Sequence, residues 1–180
     1  MKSIVIEECE KALDGVDSDK VKTYLEMVTG AEKVFFVGVG RVLLSLEAIA
    51  KRYSHLGIHS VVVGQITEPA ITQEDVLIVG SGSGETLYPV GIAKKAKAIG
   101  AKVIHIGSNP ESSLKEVADL FVRIPVESRA KMKDEIHSGQ PMTSLFEQAL
   151  LLFGDTTAMM LIEDKKIEID SLWEYHANLE

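Results

Sequence analysis

Five short runs, KVFFVG, SVVVG, DVLIVG, KVIHIG and LFVRIP, are apolar on consecutive residues instead of alternate ones. A strand with one wet face alternates, so continuous apolar runs of this length belong in a sheet covered on both faces, which in practice means a parallel sheet. Parallel neighbours need long crossovers. The stretches between the runs supply them: from about Gly40 to Gly57, from about Glu85 to Gly100, and a shorter one within ESSLKEVAD, all with helical character. The expected fold is therefore α/β, a three-layer αβα sandwich around a five-stranded parallel sheet.

Helices flank this unit. In DSDKVKTYLEMVTG, Asp17 or Ser18 is placed as an N-cap, Val21, Leu25 and Val28 share one helical face, and Gly30 is the expected stop. IVIEECEKAL ahead of it is expected to be helical too. Near the other end, TSLFEQALLLFGDTTAMMLIED is apolar nearly all round, which a helix on a solvent-facing layer of a monomer could not sustain. The expectation is one domain over 1–180, with helices 1–30 and the C-terminal helix and tail, 143–180, in an oligomer interface. The polar stretch VESRAKMKDEIHSGQPM has no period and is expected to be a functional loop.

Charge and cysteine usage narrow the function. The formal net charge is −8, and no basic run accompanies it, which argues against nucleic acid as a partner. No segment is expected to reach the roughly 20 apolar residues of a membrane helix, and no signal peptide opens the chain. Cys9 is the single cysteine and cannot form an internal disulfide, so a cytoplasmic protein is expected. His55 and His59 lie four apart, but Gly57 should break the helix between them, so no metal is expected; His55 is read as a favourable charge at a helix C-terminus.

In a parallel αβα sheet, ligands collect outside the carboxyl ends of the strands. Three loops end a strand there and open a helix: GVGR (38–41), SGSGET (81–86) and GSNPESS (107–113). Gly40 and Arg41 of the first, Ser81, Gly82, Ser83, Gly84 and Thr86 of the second, and Ser108 of the third are the candidate substrate ligands. Glycines admit a ligand close to the backbone, free N–H groups and the helix dipole favour an anion, and the hydroxyls add donors. A phosphate monoester suits this set. The plainer alternative is that Ser81 or Ser83 only caps the following helix. GVGRVL lacks the third glycine of a dinucleotide fingerprint, and no P-loop lysine follows a glycine-rich turn. Arg41 either clamps the substrate or simply lies on its loop.

SGSGET resembles the phosphosugar-binding signature of the sugar isomerase (SIS) domain family. HLGIHSVVVG, QPMTSLFEQALLLFGD and the C-terminal HANLE narrow the likeness to its 6-phospho-3-hexuloisomerases, from about residue 20 to the end. That resemblance implies a flavodoxin-like sheet, a homotetramer or dimer, no metal or other cofactor, and interconversion of a 3-hexulose 6-phosphate with fructose 6-phosphate. It also brings forward Glu147 and His176 as catalytic candidates. The chain departs from the family pattern where Val42 and Leu43 replace a serine and a glycine, and where Gln65 replaces a glutamate.

Moving a carbonyl between neighbouring carbons needs a base, a group that polarises the carbonyl and a phosphate anchor. Glu147, beside so much apolar surface, suits proton abstraction from carbon; read structurally, SLFE is a capping box in which Glu147 reaches back to the N–H of Ser144. His176 suits proton shuttling between the two oxygens. Trp173 and Tyr175 make its terminus too aromatic to fray, so the tail is expected to dock, either on its own chain or over a neighbour's site. The competing reading is a non-catalytic sugar-phosphate sensor. Its usual helix-turn-helix is not expected in the roughly 30 acidic residues before the first strand.

Overall fold

The computed structural model describes residues 2–128 and 132–179; residues 129–131 of the polar loop and Glu180, which closes the C-terminal pentapeptide, lie outside the described residues. The chain runs α1 (Lys2–Asp14), α2 (Ser18–Gly30), β1 (Val34–Val37), α3 (Gly40–His55), β2 (Ser60–Val62), β3 (Val76–Gly80), α4 (Leu87–Ile99), β4 (Lys102–Gly107), a 3-10 turn (Ser113–Glu116), β5 (Leu120–Arg123), α5 (Ser144–Asp164) and a final 3-10 stretch (Ile169–Tyr175). The strands order as β2-β1-β3-β4-β5, every pair parallel. Every residue of β1 and β3 is buried, as continuous apolar runs require.

Alternate residues of each strand feed the two faces. Phe36, Ile78, Ile104 and Val122 pack with α1, α2, α3 and α5, while Phe35, Leu77, Val79 and Val103 pack with α4 and the Ser113–Glu116 turn. On the larger side a hydroxyl chain ties three helices together. Thr157 donates to the Phe153 carbonyl at 3.0 Å, Tyr53 then donates to Thr157 at 2.7 Å, and Tyr24 donates to Tyr53 at 2.9 Å, so each buried hydroxyl is satisfied. Burial pushes the Tyr53 phenol up to about 12.

Several local expectations change. Asp17 caps α2, accepting from the N–H groups of Asp19 and Lys20, but Gly30 is its last helical residue and not a left-handed stop. The helix after β3 starts at Leu87, two residues later than expected, and the link between β4 and β5 is a 3-10 turn.

The largest correction concerns α5. Its 21 residues are long and apolar enough, by length and composition, to cross a membrane, contrary to the expectation that no segment is. It is instead a core helix: Phe146, Ala149, Leu150, Phe153, Ala158 and Leu161 are buried in this chain. Gly154 lets α3 approach, since a Cβ there would lie 2.2 Å from Ile49 Cγ1. The apolar character thus has a first cause inside the chain, and of its large apolar side chains only Leu152, Met159 and Met160 remain exposed.

Candidate functional site

Strands β1 and β3 are neighbours, yet the chain leaves β1 for β2 on one side and reaches β4 beyond β3 on the other. A crevice opens at such a reversal, beyond the carboxyl ends of the strands. Here it is a cleft of about 340 Å3. Gly38 and Gly80 end the two strands because α3 sits directly on them. A Cβ on Gly80 would lie 2.9 Å from both Val42 Cγ1 and Leu46 Cδ1. Val42 therefore forms apolar floor where the family pattern has a hydroxyl, and Phe146 of α5 lines the same cleft.

One wall is the turn after β3. Ser81, Gly82, Ser83 and Thr86 line the cleft, joined by Ser108 from the loop after β4. Neither serine caps α4: Ser81 Oγ accepts from Gly84 N–H at 3.1 Å and Ser83 Oγ from Glu85 N–H at 3.3 Å, while the N-cap Thr86 makes no side-chain cap bond. The plainer alternative is thereby removed, and the first N–H groups of α4 keep no side-chain cap. Gly82 O accepts from the N–H groups of Ser108 and Asn109, which joins the two loops. Ser108 Oγ is buried with no hydrogen-bond partner among the described residues. Such a group is costly unless something fills it, and a phosphate oxygen fits.

Gly84 is a correction. It does not line the cleft but shapes the turn from behind, at φ +67°. A Cβ there would lie 2.2 Å from Ser112 Oγ and 2.3 Å from Ser112 Cβ. Gly84→Ala is accordingly expected to lose about 2 kcal/mol of stability, from left-handed strain and overlap together, read as a lower denaturant midpoint at unchanged slope.

His105 of β4, which the sequence reading did not single out, supports the same turn. Its Nε2–H donates to the Ser81 carbonyl at 2.9 Å, and its ring lies 4.9 Å from that of Phe121. Burial pushes its pKa down to about 4, partly offset by that hydrogen bond, so it is neutral at pH 7. A lone histidine inside the apolar run KVIHIG was the available signal.

The opposite wall is charged. Arg41, in the first turn of α3, pairs through Nε with the Glu147 carboxylate, which also accepts from Thr143 Oγ1 at 2.9 Å. Ser45 Oγ donates to the Glu147 backbone carbonyl at 2.9 Å, locking α3 to α5. The capping box does not form, because α5 starts at Ser144 with Thr143 as N-cap, and the Ser144 N–H goes to Pro141 O. Glu147 thus stands one position beyond the capping slot. Its carboxylate is held by two polar partners, Arg41 and Thr143, while Val42 and Phe146 line the same cleft.

Gly40, Arg41 and Glu147 therefore join Ser81, Gly82, Ser83, Thr86 and Ser108 in one cleft. Thr143, Phe146, Glu127 and Ser128 line it as well and were missed. Thr143 was within reach, being four residues before Glu147, whereas Glu127 and Ser128 sit in the stretch whose polarity showed only a loop. Gln65 stands on an exposed turn outside the cleft.

His176 is not brought there by its own chain. The tail docks, as expected, but against the far end of α3: His176 stacks on His55 at 5.3 Å between ring centroids, and Tyr175 lies against Gly57. Arg41 and His55 are separated by most of a helix, about 20 Å. His55 is buried, and that burial, with Lys51, Arg52 and His176 nearby, lowers its pKa; it is a neutral ring and not the cation expected. Among the described residues no cluster could hold a metal ion.

Residues 27–155 match the SIS domain family. The chain is 34% identical to a 3-hexulose-6-phosphate isomerase of Bacillus subtilis over 98% of this chain and 95% of that one, and 36% identical to one of Mycobacterium gastri over 99% and 89%. A crystal structure of a hypothetical protein from Methanococcus jannaschii, for which a molecular function of 3-hexulose-6-phosphate isomerase was inferred, superposes with TM-score 0.85 at 30% identity, covering 99% and 98% of the two chains.

Proposed function

The chain belongs to the SIS domain family, and from that premise we propose that it is a sugar-phosphate isomerase interconverting a 3-hexulose 6-phosphate and fructose 6-phosphate through an enediol. The observation that carries this reading is the pairing, across one cleft, of an anion-binding turn with a carboxylate held by Arg41 and Thr143.

A 3-ketone phosphorylated on its 6-oxygen cannot close a five-membered ring, so no ring-opening acid is required. The phosphate sits at the N-terminus of α4, against the Ser81–Thr86 turn and the Ser108 hydroxyl. Glu147 takes the proton from C2, and the electron pair of that bond moves into the C2–C3 bond as the C3 carbonyl becomes an enediolate oxygen. Arg41 stabilises that charge. A proton passes from the C2 oxygen to the C3 oxygen, Glu147 returns the carbon-bound proton to C3, and the carbonyl is left at C2.

His176 takes part in proton transfer between the oxygens only if a neighbouring subunit supplies it. We assign the protein a dimeric or tetrameric assembly, because Leu152, Met159 and Met160 on α5 and Ile4 and Ile6 on α1 are exposed apolar side chains. Sedimentation at micromolar concentration is expected to show no monomer. A sugar phosphate carries charge that a bilayer core excludes, which supports a cytoplasmic setting. The apolar floor at Val42 favours, as the second reading, a different sugar phosphate with fewer hydroxyls to satisfy there.

Formation of fructose 6-phosphate from the 3-hexulose 6-phosphate is the direct test, and its absence overturns the substrate assignment. Ser83→Ala is expected to weaken fructose 6-phosphate binding about tenfold, as loss of a hydrogen bond to a charged group does, with the unfolding midpoint unchanged. Calorimetric titration reads this; unchanged affinity moves the phosphate away from the turn.

A further inference from the structure

The segment leading into Glu147 is held from a distance by α1. Glu8 is half-buried, and both its carboxylate oxygens are engaged by three consecutive residues. Oε1 accepts from Gly139 N–H at 2.8 Å, and Oε2 accepts from Ser138 Oγ at 2.7 Å and Gln140 Nε2 at 2.9 Å. Ser138 Oγ in turn accepts from Gln140 N–H at 3.1 Å, so the turn is wrapped around one side chain. These donors hold the Glu8 carboxyl below its usual range, Ser138 contributing most.

Two links lead from this turn to the cleft. Ser138 N–H reaches the carboxylate of cleft-lining Glu127 at 3.4 Å. Forward along the chain, Met142 adopts φ +58°, one of two non-glycine residues at positive φ among those described. Its side chain is 91% exposed, so packing does not impose that conformation. A strained non-glycine backbone persists only where its surroundings over-determine it, at a cost of about 1 kcal/mol or more. Here the restraints stand on either side: Glu8 grips 138–140, and α5 begins at Ser144. Thr143, whose hydroxyl holds Glu147, directly follows the strained residue.

We propose that Glu8 is a positioning residue: by clamping the 138–140 turn it keeps Met142 in its strained conformation and so sets Thr143 and Glu147 in the cleft. The proposal rests on the isomerase reading for its effect on turnover, but not for its effect on the segment. The phosphate-binding turn belongs to other elements, so loss of the clamp acts on the chemical step and spares anchoring.

The test uses the full chain with Glu8→Ala and, should that variant not fold, Glu8→Gln, which keeps one acceptor oxygen. Amide hydrogen exchange over 139–147 is expected to quicken at least tenfold in Glu8→Ala, with exchange at 81–86 unchanged. The kcat is expected to fall about tenfold with KM within twofold. Adding Met142→Gly, which removes the left-handed penalty, should return at least threefold of the lost kcat; a merely structural role for Glu8 moves neither that rescue nor the split between kcat and KM. Unchanged exchange at 139–147, or faster exchange with normal kcat, overturns the proposal. If the unmodified protein forms no fructose 6-phosphate, the isomerase reading fails, and the exchange measurement alone decides for or against Glu8.

Discussion

Glu147→Gln is expected to fold, to bind fructose 6-phosphate, and to turn the 3-hexulose 6-phosphate over at least about a hundredfold more slowly, the low end of what a general base contributes. The substitution keeps the shape of the side chain. Its amide oxygen can still accept from Thr143 Oγ1 or from Arg41, so only one of the two bonds needs replacing. The ion pair with Arg41 is lost, but the Arg41 side chain is 65% exposed, so stability should change by less than about 1 kcal/mol. An amide cannot take a proton from carbon. Glu147→Ala would be a poorer test, because removing both contacts frees Arg41 and Thr143 together. Turnover kept near normal in Glu147→Gln on this substrate makes Glu147 a structural partner of Arg41 and moves the base to Glu127 or to a neighbour's His176.

The second large effect is a loss of stability on mild acidification, centred on His105. Its pKa falls from 6.5 to about 4 in the folded protein, so below pH 6.5 the unfolded chain binds a proton that the folded chain refuses. The contribution is therefore fully present above pH 6.5 and lost as pH falls towards 4. At 1% exposure solvent does little to screen it, and the loss by pH 4.5 amounts to about 2 to 3 kcal/mol. His105→Gln can still donate to Ser81 O but does not titrate. Denaturant unfolding of both proteins between pH 7.5 and 4.5 should show the slope in the native chain and a flatter one in the variant. Equal slopes would mean that His105 charges without cost.

The sheet was legible because burial on both faces leaves its mark on each strand separately: VFFV and VLIVG need no partner to be identified as buried strands. The cleft-lining turn after β3 was legible for a similar reason, since glycines, hydroxyls and a following helix act within six residues. Where the reading went astray, a nearest neighbour in space was missing from it. Gly84 looked like part of a ligand cradle, yet it is pressed against Ser112, 28 positions on. The cap offered as the alternative to a catalytic Glu147 failed by one residue in where α5 begins, and Arg41 reaches the carboxylate from α3. His176 was expected in its own or a neighbour's site, and its own tail lies on the other end of the helix that carries Arg41, which leaves the neighbour's.

By itself the sequence determined the layers, the number of strands and the chemistry offered at their carboxyl ends. These follow from periodicity and residue type, which act over one or two turns of chain. Only the tertiary structure decided which side chains share a volume: that α5 hides most of its apolar surface within its own chain, that His105 holds Ser81 from the neighbouring strand, and that Glu8 grips a turn 130 residues away. Such contacts depend on how helices seat on the sheet, and that is set by close packing at glycines such as Gly80 and Gly154, where a single Cβ would push two elements apart.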